Sequence, residues 1–401
     1  MLHVIPSHQH RPSDDPIFTL NHEATQRILR GEAVVNATIG VLMDDNGKLA
    51  ILPTAARAVA EVSPAEWAAY APISGLPDFL EAVKDDLFRD SPEMRACAVS
   101  VATPGGSGAL RLAIANCIEP NQSLLTTSYY WGPYKTLSDE TDRKLVTFSM
   151  FDAHGNFDVG ALDRAVGAAL AEQKRALLVI NDPCHNPTGY SMRLEEWRRV
   201  ADCLASHAQK GSLTLLVDTA YSAYAAGDSR AFLKELRPLL GKVGLLFAWS
   251  ASKTFTHYGL RVGAIVACVP DAKERAMMEA ALSYSCRGTW SNCSHGGMRA
   301  ITRLLTEPAL VASCNQERAA MKALLSARVA AFNELARARG LDYPRYEGGF
   351  FVTVFADDAE KRALRMKDKG VFVVSAKGAL RVALCATAER DIPRLVGALA
   401  D

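Results

Sequence analysis

The chain reads as an α/β protein, with a mostly parallel sheet between helices and a smaller α+β unit beside it. Three observations predict this. Short apolar runs alternate with amphipathic stretches between residues 98 and 268, as strand–helix units require. The run 243–249, Val-Gly-Leu-Leu-Phe-Ala-Trp, is apolar throughout and reads as a buried strand. Beyond residue 316 the alternation gives way to a long Ala- and Arg-rich helical pattern and then to short mixed elements.

In chain order, 98–103 reads as a strand, 109–117 as a helix, and 123–127 and 145–148 as strands. The alanine-rich stretch 161–171 fits a helix, 176–181 a strand, and 193–209 a helix. Then come a strand at 213–218, a helix at 231–240, and strands at 245–249 and 262–268. The last third predicts a helix from about 317 to 339, a strand at 350–355 and a charged helix around 358–369. Strands at 371–374 and 380–384 and a helix near 389–400 complete the chain. These elements divide it into a large unit, 47–316, and a small unit built from 14–46 and 317–401.

Composition narrows the function classes. At 401 residues the chain can bury a sizeable core in two domains. Forty-five basic against 44 acidic residues leave +1, which gives no global field for nucleic acid or an anionic membrane. The nine cysteines are widely spaced, with no Cys-x-x-Cys pair and no Cys/His cluster, so no metal site is predicted and a reducing compartment is. The first sixteen residues are polar, and no apolar run reaches signal-peptide or membrane-spanning length. The expected location is cytoplasmic.

Five places carry candidate chemistry. Lys253, in Ser250-Ala251-Ser252-Lys253-Thr254, follows the buried run 243–249. Desolvation there favours the neutral, nucleophilic amine that a Schiff base needs; a snorkelling lysine is the plainer reading of that segment alone. Thr103-Pro104-Gly105-Gly106-Ser107-Gly108 turns a strand into a helix, whose free N–H groups and Ser107 hydroxyl suit a phosphate. A simple strand–helix turn reads the same way, and neither a dinucleotide fingerprint nor a Walker loop is present. Asn181 to Gly189, with Asn186-Pro187-Thr188-Gly189, is turn chemistry placed just after a strand. Asp218 ends an apolar strand, with Tyr221 three residues on, and needs either a cap partner or a cation. Arg261 opens the strand 262–268, and Arg381 sits inside the apolar run 378–384, where it needs an anion.

Taken together, order and spacing resemble the class I aminotransferases of pyridoxal-phosphate fold type I, nearest the aspartate and aromatic amino-acid enzymes. The resemblance spans about 14 to 381 and implies a mostly parallel sheet of the seven-stranded type. It implies that Lys253 forms the Schiff base with pyridoxal 5′-phosphate and moves the proton between the substrate's Cα and the cofactor's C4′. Asp218 then pairs with the ring nitrogen, Tyr221 and Asn186 bond the ring's 3-oxygen, and Trp131 stacks on the ring. Gly106, Ser107, Ser250, Ser252 and Arg261 hold the phosphate, and Tyr70 reaches the phosphate of a neighbouring subunit. Gly40 lies near the substrate, and Arg381 with Asn186 binds its α-carboxylate. The family's dimers share active sites, so a homodimer is expected.

The segment Cys286 to Asn292 resembles the one whose arginine reaches the distal carboxylate of aspartate or glutamate, which casts Arg287 in that role and sets Ser291 near the phosphate. Aromatic members keep such an arginine, so the donor is dicarboxylic or aromatic, with 2-oxoglutarate as acceptor. The sequence departs from the family pattern at Thr256, His257, Pro183 and Tyr190, and at Tyr134, where the aspartate enzymes carry a histidine. A β-lyase, a decarboxylase or a cyclopropane-forming synthase on the same fold would use the same lysine and aspartate. A regulator's sensing domain would need a DNA-binding module, and the stretch before Asn36 is too short for one.

Overall fold

The computed structural model describes residues 3–12, 15–376 and 378–401; the expected start of the small unit, Asp14, lies outside them. Seven strands form the main sheet: β1 (Ala98–Thr103), β2 (Ser123–Thr127), β3 (Lys144–Phe148), β4 (Arg175–Asn181), β5 (Ser212–Asp218), β6 (Gly244–Ser250) and β7 (Gly263–Cys268). Their spatial order is β1-β7-β6-β5-β4-β2-β3. The central strands are buried on both faces, as their unbroken apolar runs require. Leu216, Leu246 and Ala248 pack on one side with Ile114 of helix Gly105–Cys117 and Leu282 of helix Ala272–Thr289. Leu215, Val217, Leu245 and Phe247 face the other side with Leu162, Val200 and Leu204. Alternate residues of one strand therefore serve two cores.

β7 alone runs against its neighbours, pairing antiparallel with both β1 and β6. This reversal decides where Arg261 goes. Ser250 and Thr103, the carboxyl ends of β6 and β1, both lie opposite Gly263, the amino end of β7. The residues just before β7 thus reach the sheet edge where the other strands finish, which is where ligands bind in open α/β sheets.

The second core gathers Val35, Ala37, Leu325, Val329, Phe332, Val352, Leu380, Leu395 and their neighbours. It encloses an antiparallel sheet of Phe351–Phe355, Ala379–Ala383 and Val374–Ala376. Two expected elements differ here. The run 371–374 splits, because Val371–Phe372 pairs in parallel with Val35–Asn36 while Val374 begins the antiparallel sheet. The long helix starts at Pro308, not near 317, since proline is favoured in a first helical turn. It spans both cores: Leu310 and Cys314 belong to the first, and Leu325 to Ala336 to the second. Its fully buried Arg328 donates to the Met43 and Cys385 carbonyls and to Asp45 at 2.8–2.9 Å, tying the N-terminal segment to the C-terminal unit.

Helices Pro53–Ala60, Pro77–Leu87 and His295–Thr306 had no counterpart in the sequence reading. The helix expected at 231–240 is cut to Leu233–Leu236 and a 3₁₀ turn, Arg237–Leu239, since Pro238 lacks the N–H to continue it.

Candidate active site

Parallel register sets Asn181 beside Asp218, and Asp218 beside Ala248, at the carboxyl ends of β4, β5 and β6. Asp218 is buried, which pushes its carboxyl above the usual carboxylate range; the Tyr134 hydroxyl, the Ala220 N–H and the Lys253 charge pull it back. Tyr134 Oη donates to Asp218 Oδ2 at 2.8 Å, and the Ala220 N–H donates to Oδ1 at 3.1 Å.

Lys253 lies in the short helix Ala251–Thr254, whose N-cap is Ser250. Its ammonium is pushed down by burial, held up by Asp218 and pushed down again by Arg261. Its Nζ sits 5.2 Å from the centre of the Tyr221 ring. The Tyr221 hydroxyl accepts from Asn186 Nδ2 at 3.1 Å. The Asn186 loop is fixed by Asn181, whose Oδ1 accepts the Asn186 N–H at 2.7 Å while its Nδ2 donates to the Asp218 carbonyl at 2.8 Å.

The other end of the cleft is built for an anion. Helix Gly105–Cys117 opens there with no side-chain cap and no acidic residue in its first turn. Arg261 donates to Ser252 Oγ and to the Pro104 carbonyl, both at 3.3 Å. A Cβ on Gly105, whose φ is +71°, would lie 2.7 Å from Arg261 Nη2, so only glycine lets the guanidinium close on the turn.

Gly106, Ser107, Trp131, Asn186, Asp218, Tyr221, Ser250, Ser252, Lys253 and Arg261 all line one cleft, together with Asn181. Arg381 lies beyond Tyr221, only 8% exposed, over the Phe351 ring at 4.6 Å. Its Nη2 donates to the Thr38 carbonyl, but Nε is buried without a partner and no carboxylate meets it among the described residues. Gly40 packs on the same ring; a Cβ there would lie 2.5 Å from Phe351 Cζ.

Gly40 and Arg381 thus adjoin the cleft without lining it, and two further expected residues stand apart from it in this chain. Tyr70 is 89% exposed, and Arg287 is exposed with Nη1 bonded to Ser291 Oγ at 2.5 Å. The other departures serve structure. Thr256 Oγ1 accepts the Leu52 N–H at 2.9 Å, His257 bonds the Phe255 carbonyl at 2.8 Å, and buried Tyr190 donates to Glu196. The sequence analysis gives Asn181 no role, and the resemblance places Tyr134 where the aspartate enzymes carry a histidine behind the cofactor's aspartate, the position from which it bonds Asp218 here. The only signal for Asn181 was its place at a strand end beside the Asn-Pro-Thr-Gly turn.

Pyridoxal phosphate fits these residues. The cleft offers a buried carboxylate for a cationic ring nitrogen, a buried amine, a hydroxyl–amide pair for a ring oxygen, and an uncapped helix start with an arginine for phosphate.

Comparison with known proteins agrees. The family model described as "Aminotransferase class I and II" matches residues 32–399. An aromatic-amino-acid aminotransferase of Paracoccus denitrificans is 26% identical over 375 residues, 91% of this chain and 92% of that protein. An aspartate aminotransferase of Pseudomonas aeruginosa is 28% identical over 323 residues, 77% of each chain. The crystal structure of an aminotransferase from Anaerococcus prevotii superposes with a TM-score of 0.93 at 32% identity, covering 100% of this chain and 99% of that one.

Proposed function

We propose, from the premise that this chain belongs to the class I and II aminotransferases, that it moves the amino group of a dicarboxylic or aromatic L-amino acid to a 2-oxo acid such as 2-oxoglutarate. The enzyme depends on pyridoxal phosphate, and its relatives favour transamination over a β-lyase or decarboxylase. When bound, the cofactor supplies the electron sink for negative charge at the substrate's Cα. In the two ping-pong halves, the Lys253 amine would accept and carry the proton that leaves the substrate's Cα. The Asp218 carboxylate holds the ring nitrogen cationic. Tyr221 and Asn186 bond the ring oxygen, and Trp131 covers the ring face. Gly106, Ser107, Ser250, Ser252 and Arg261 hold the phosphate. Arg381, with Asn186 and close to Gly40, orients the α-carboxylate so that the bond to be broken stands across the ring.

The observation that carries this reading is Arg381: a buried guanidinium with an unpartnered Nε and, among the described residues, no ion pair with a carboxylate, next to a cleft containing Lys253 and Asp218. A buried charge left unpaired by the fold is costly, and a substrate carboxylate would repay it.

We extend the proposal to a homodimer, in which Tyr70 and Arg287 serve the neighbouring cleft. Exposed Trp67, Tyr70, Ile73 and Tyr284 support an interface. The two cores support a large unit at 47–316 and a small one at 14–46 and 317–401. No helix among the described residues is long and apolar enough to cross a membrane, and a cytoplasmic location is proposed.

The test is the absorption spectrum of the purified protein, recorded with glutamate, aspartate and phenylalanine in turn. A visible cofactor band that bleaches with a donor supports transamination, and the donor that bleaches it names the substrate class. A spectrum without that band, even after pyridoxal phosphate is added, would refute the role of Lys253.

A further inference from the structure

We propose that Tyr134 is a positioning residue whose neutral phenol keeps Asp218 ionised and turns the carboxylate's remaining lone pairs into the cleft. The inference rests on the role given to Asp218 above. Tyr134 is 1% exposed, at the start of helix Pro133–Asp139, with its hydroxyl on Asp218 Oδ2 at 2.8 Å. Its ring is held edge-on by Trp131 at 5.8 Å and stacked by Tyr130 at 6.5 Å, so the hydroxyl has little freedom to turn away. With Oδ1 taking the Ala220 N–H, each carboxylate oxygen has one donor from the protein and its free side toward the cleft.

The physical need is clear. Burial alone drives a carboxyl to take up a proton, and a protonated Asp218 could not hold a ring nitrogen cationic. A hydrogen bond to a charged acceptor offsets part of that cost. The choice of phenol has its own consequence. Burial and the Asp218 charge push the Tyr134 hydroxyl well above its ordinary range, so it stays protonated and uncharged. Among the described residues, the titratable groups facing Asp218 are Tyr134, Lys253 and Tyr221, and Tyr221 also faces Tyr134. The nearby buried His185 turns instead to Thr188 at 2.8 Å and Thr127 at 3.5 Å, and burial lowers it to about 3, so it stays neutral. The donor on Asp218 Oδ2 is therefore a group that does not itself change charge near neutrality, as an imidazole in its place would.

The experiment compares wild type, Tyr134→Phe and Tyr134→His as holoenzymes. The readouts are kcat and KM, the pH titration of the cofactor's visible band, and the rate of cofactor loss on dilution. Tyr134→Phe is expected to lose on the order of ten- to a hundredfold in kcat, the effect of one hydrogen bond to a charged group, with KM nearly unchanged. Its band titration and the acid limb of its kcat profile move to higher pH. Tyr134→His keeps a donor and recovers part of kcat, but gains a pH dependence near the imidazole range. Wild-type kcat, titration and retention in Tyr134→Phe overturn the proposal; so do equal losses in the two variants, which would show that ring shape matters and not the hydrogen bond. If wild type itself carries no cofactor band, the parent reading falls, and melting against pH still decides this one. Loss of the donor raises the Asp218 value further, so the melting deficit of Tyr134→Phe should widen as pH rises from below the folded-state Asp218 value to above it. A constant deficit refutes the bond's role.

Discussion

Asn181 and Asp218 end neighbouring parallel strands, and the Asn181 side chain donates to the Asp218 main-chain carbonyl at 2.8 Å. The same side chain accepts the Asn186 N–H at 2.7 Å, so one amide locks a strand end to a binding loop. Replacing Asn181 by Ala leaves the buried Asn186 N–H unpaired and removes one of two donors to the Asp218 carbonyl, which keeps the Asp182 N–H at 3.2 Å. The expected cost is about 2 kcal/mol or more, seen as a lower Tm, together with faster loss of cofactor. An unchanged Tm with normal cofactor retention would refute the clamp.

Arg381 separates function from stability. Its charge is buried over Phe351 with no carboxylate ion pair among the described residues, and burial pulls its ionisation below the usual range, against the weaker opposing pull of Tyr221 and the more distant Asp15. Arg381→Met should hold or raise the Tm of the substrate-free enzyme, because an unpaired buried charge is removed. The same variant should raise KM for every amino-acid donor on the order of tenfold or more, the loss of a charge-assisted pair. A large fall in Tm would recast Arg381 as structural.

Substrate class turns on Arg287, which is exposed in this chain and bonded to Ser291. Arg287→Ala should leave Tm almost unchanged, as exposed substitutions do. The expected signature is a rise of about tenfold in KM for aspartate and glutamate and little change for phenylalanine. Equal effects on all three donors would remove Arg287 from the pocket.

Lys253 makes a pH prediction. Burial favours its neutral amine, and Asp218 is the carboxylate that opposes this. Capture of cofactor by apoenzyme needs the free amine, so its rate should rise with pH and level off below the ordinary lysine value of about 10.4. Asp218→Asn removes the opposing charge and should bring the plateau to lower pH. Stopped-flow mixing of apoenzyme with pyridoxal phosphate reads both profiles, and a plateau shifted upward in the variant would contradict the assignment.

Much of this site was legible in the chain. Lys253, Asp218 and the Asn186 turn stand at the ends of apolar runs, and a buried strand that ends in a polar residue announces a sheet edge where ligands gather. Gly105 and Gly106 mark a strand–helix turn for the same local reason. Several helices fall outside the alternating strand–helix pattern of the sequence, including Pro53–Ala60 and Pro77–Leu87, which lie before the first strand of the main sheet.

What the sequence determined by itself was local: apolar period, turn chemistry, and polar residues placed where burial would be expensive. Tertiary structure decided who meets whom. Tyr134 reaches Asp218 across 84 residues, and Asn181 reaches it across 37. Arg261 arrives at the anion end of the cleft only because β7 runs antiparallel, a choice that the apolar run 262–268 does not encode in its composition. Hydrophobic burial places a strand in a sheet without regard to its direction, and strand pairing through space then selects which distant side chains share one site.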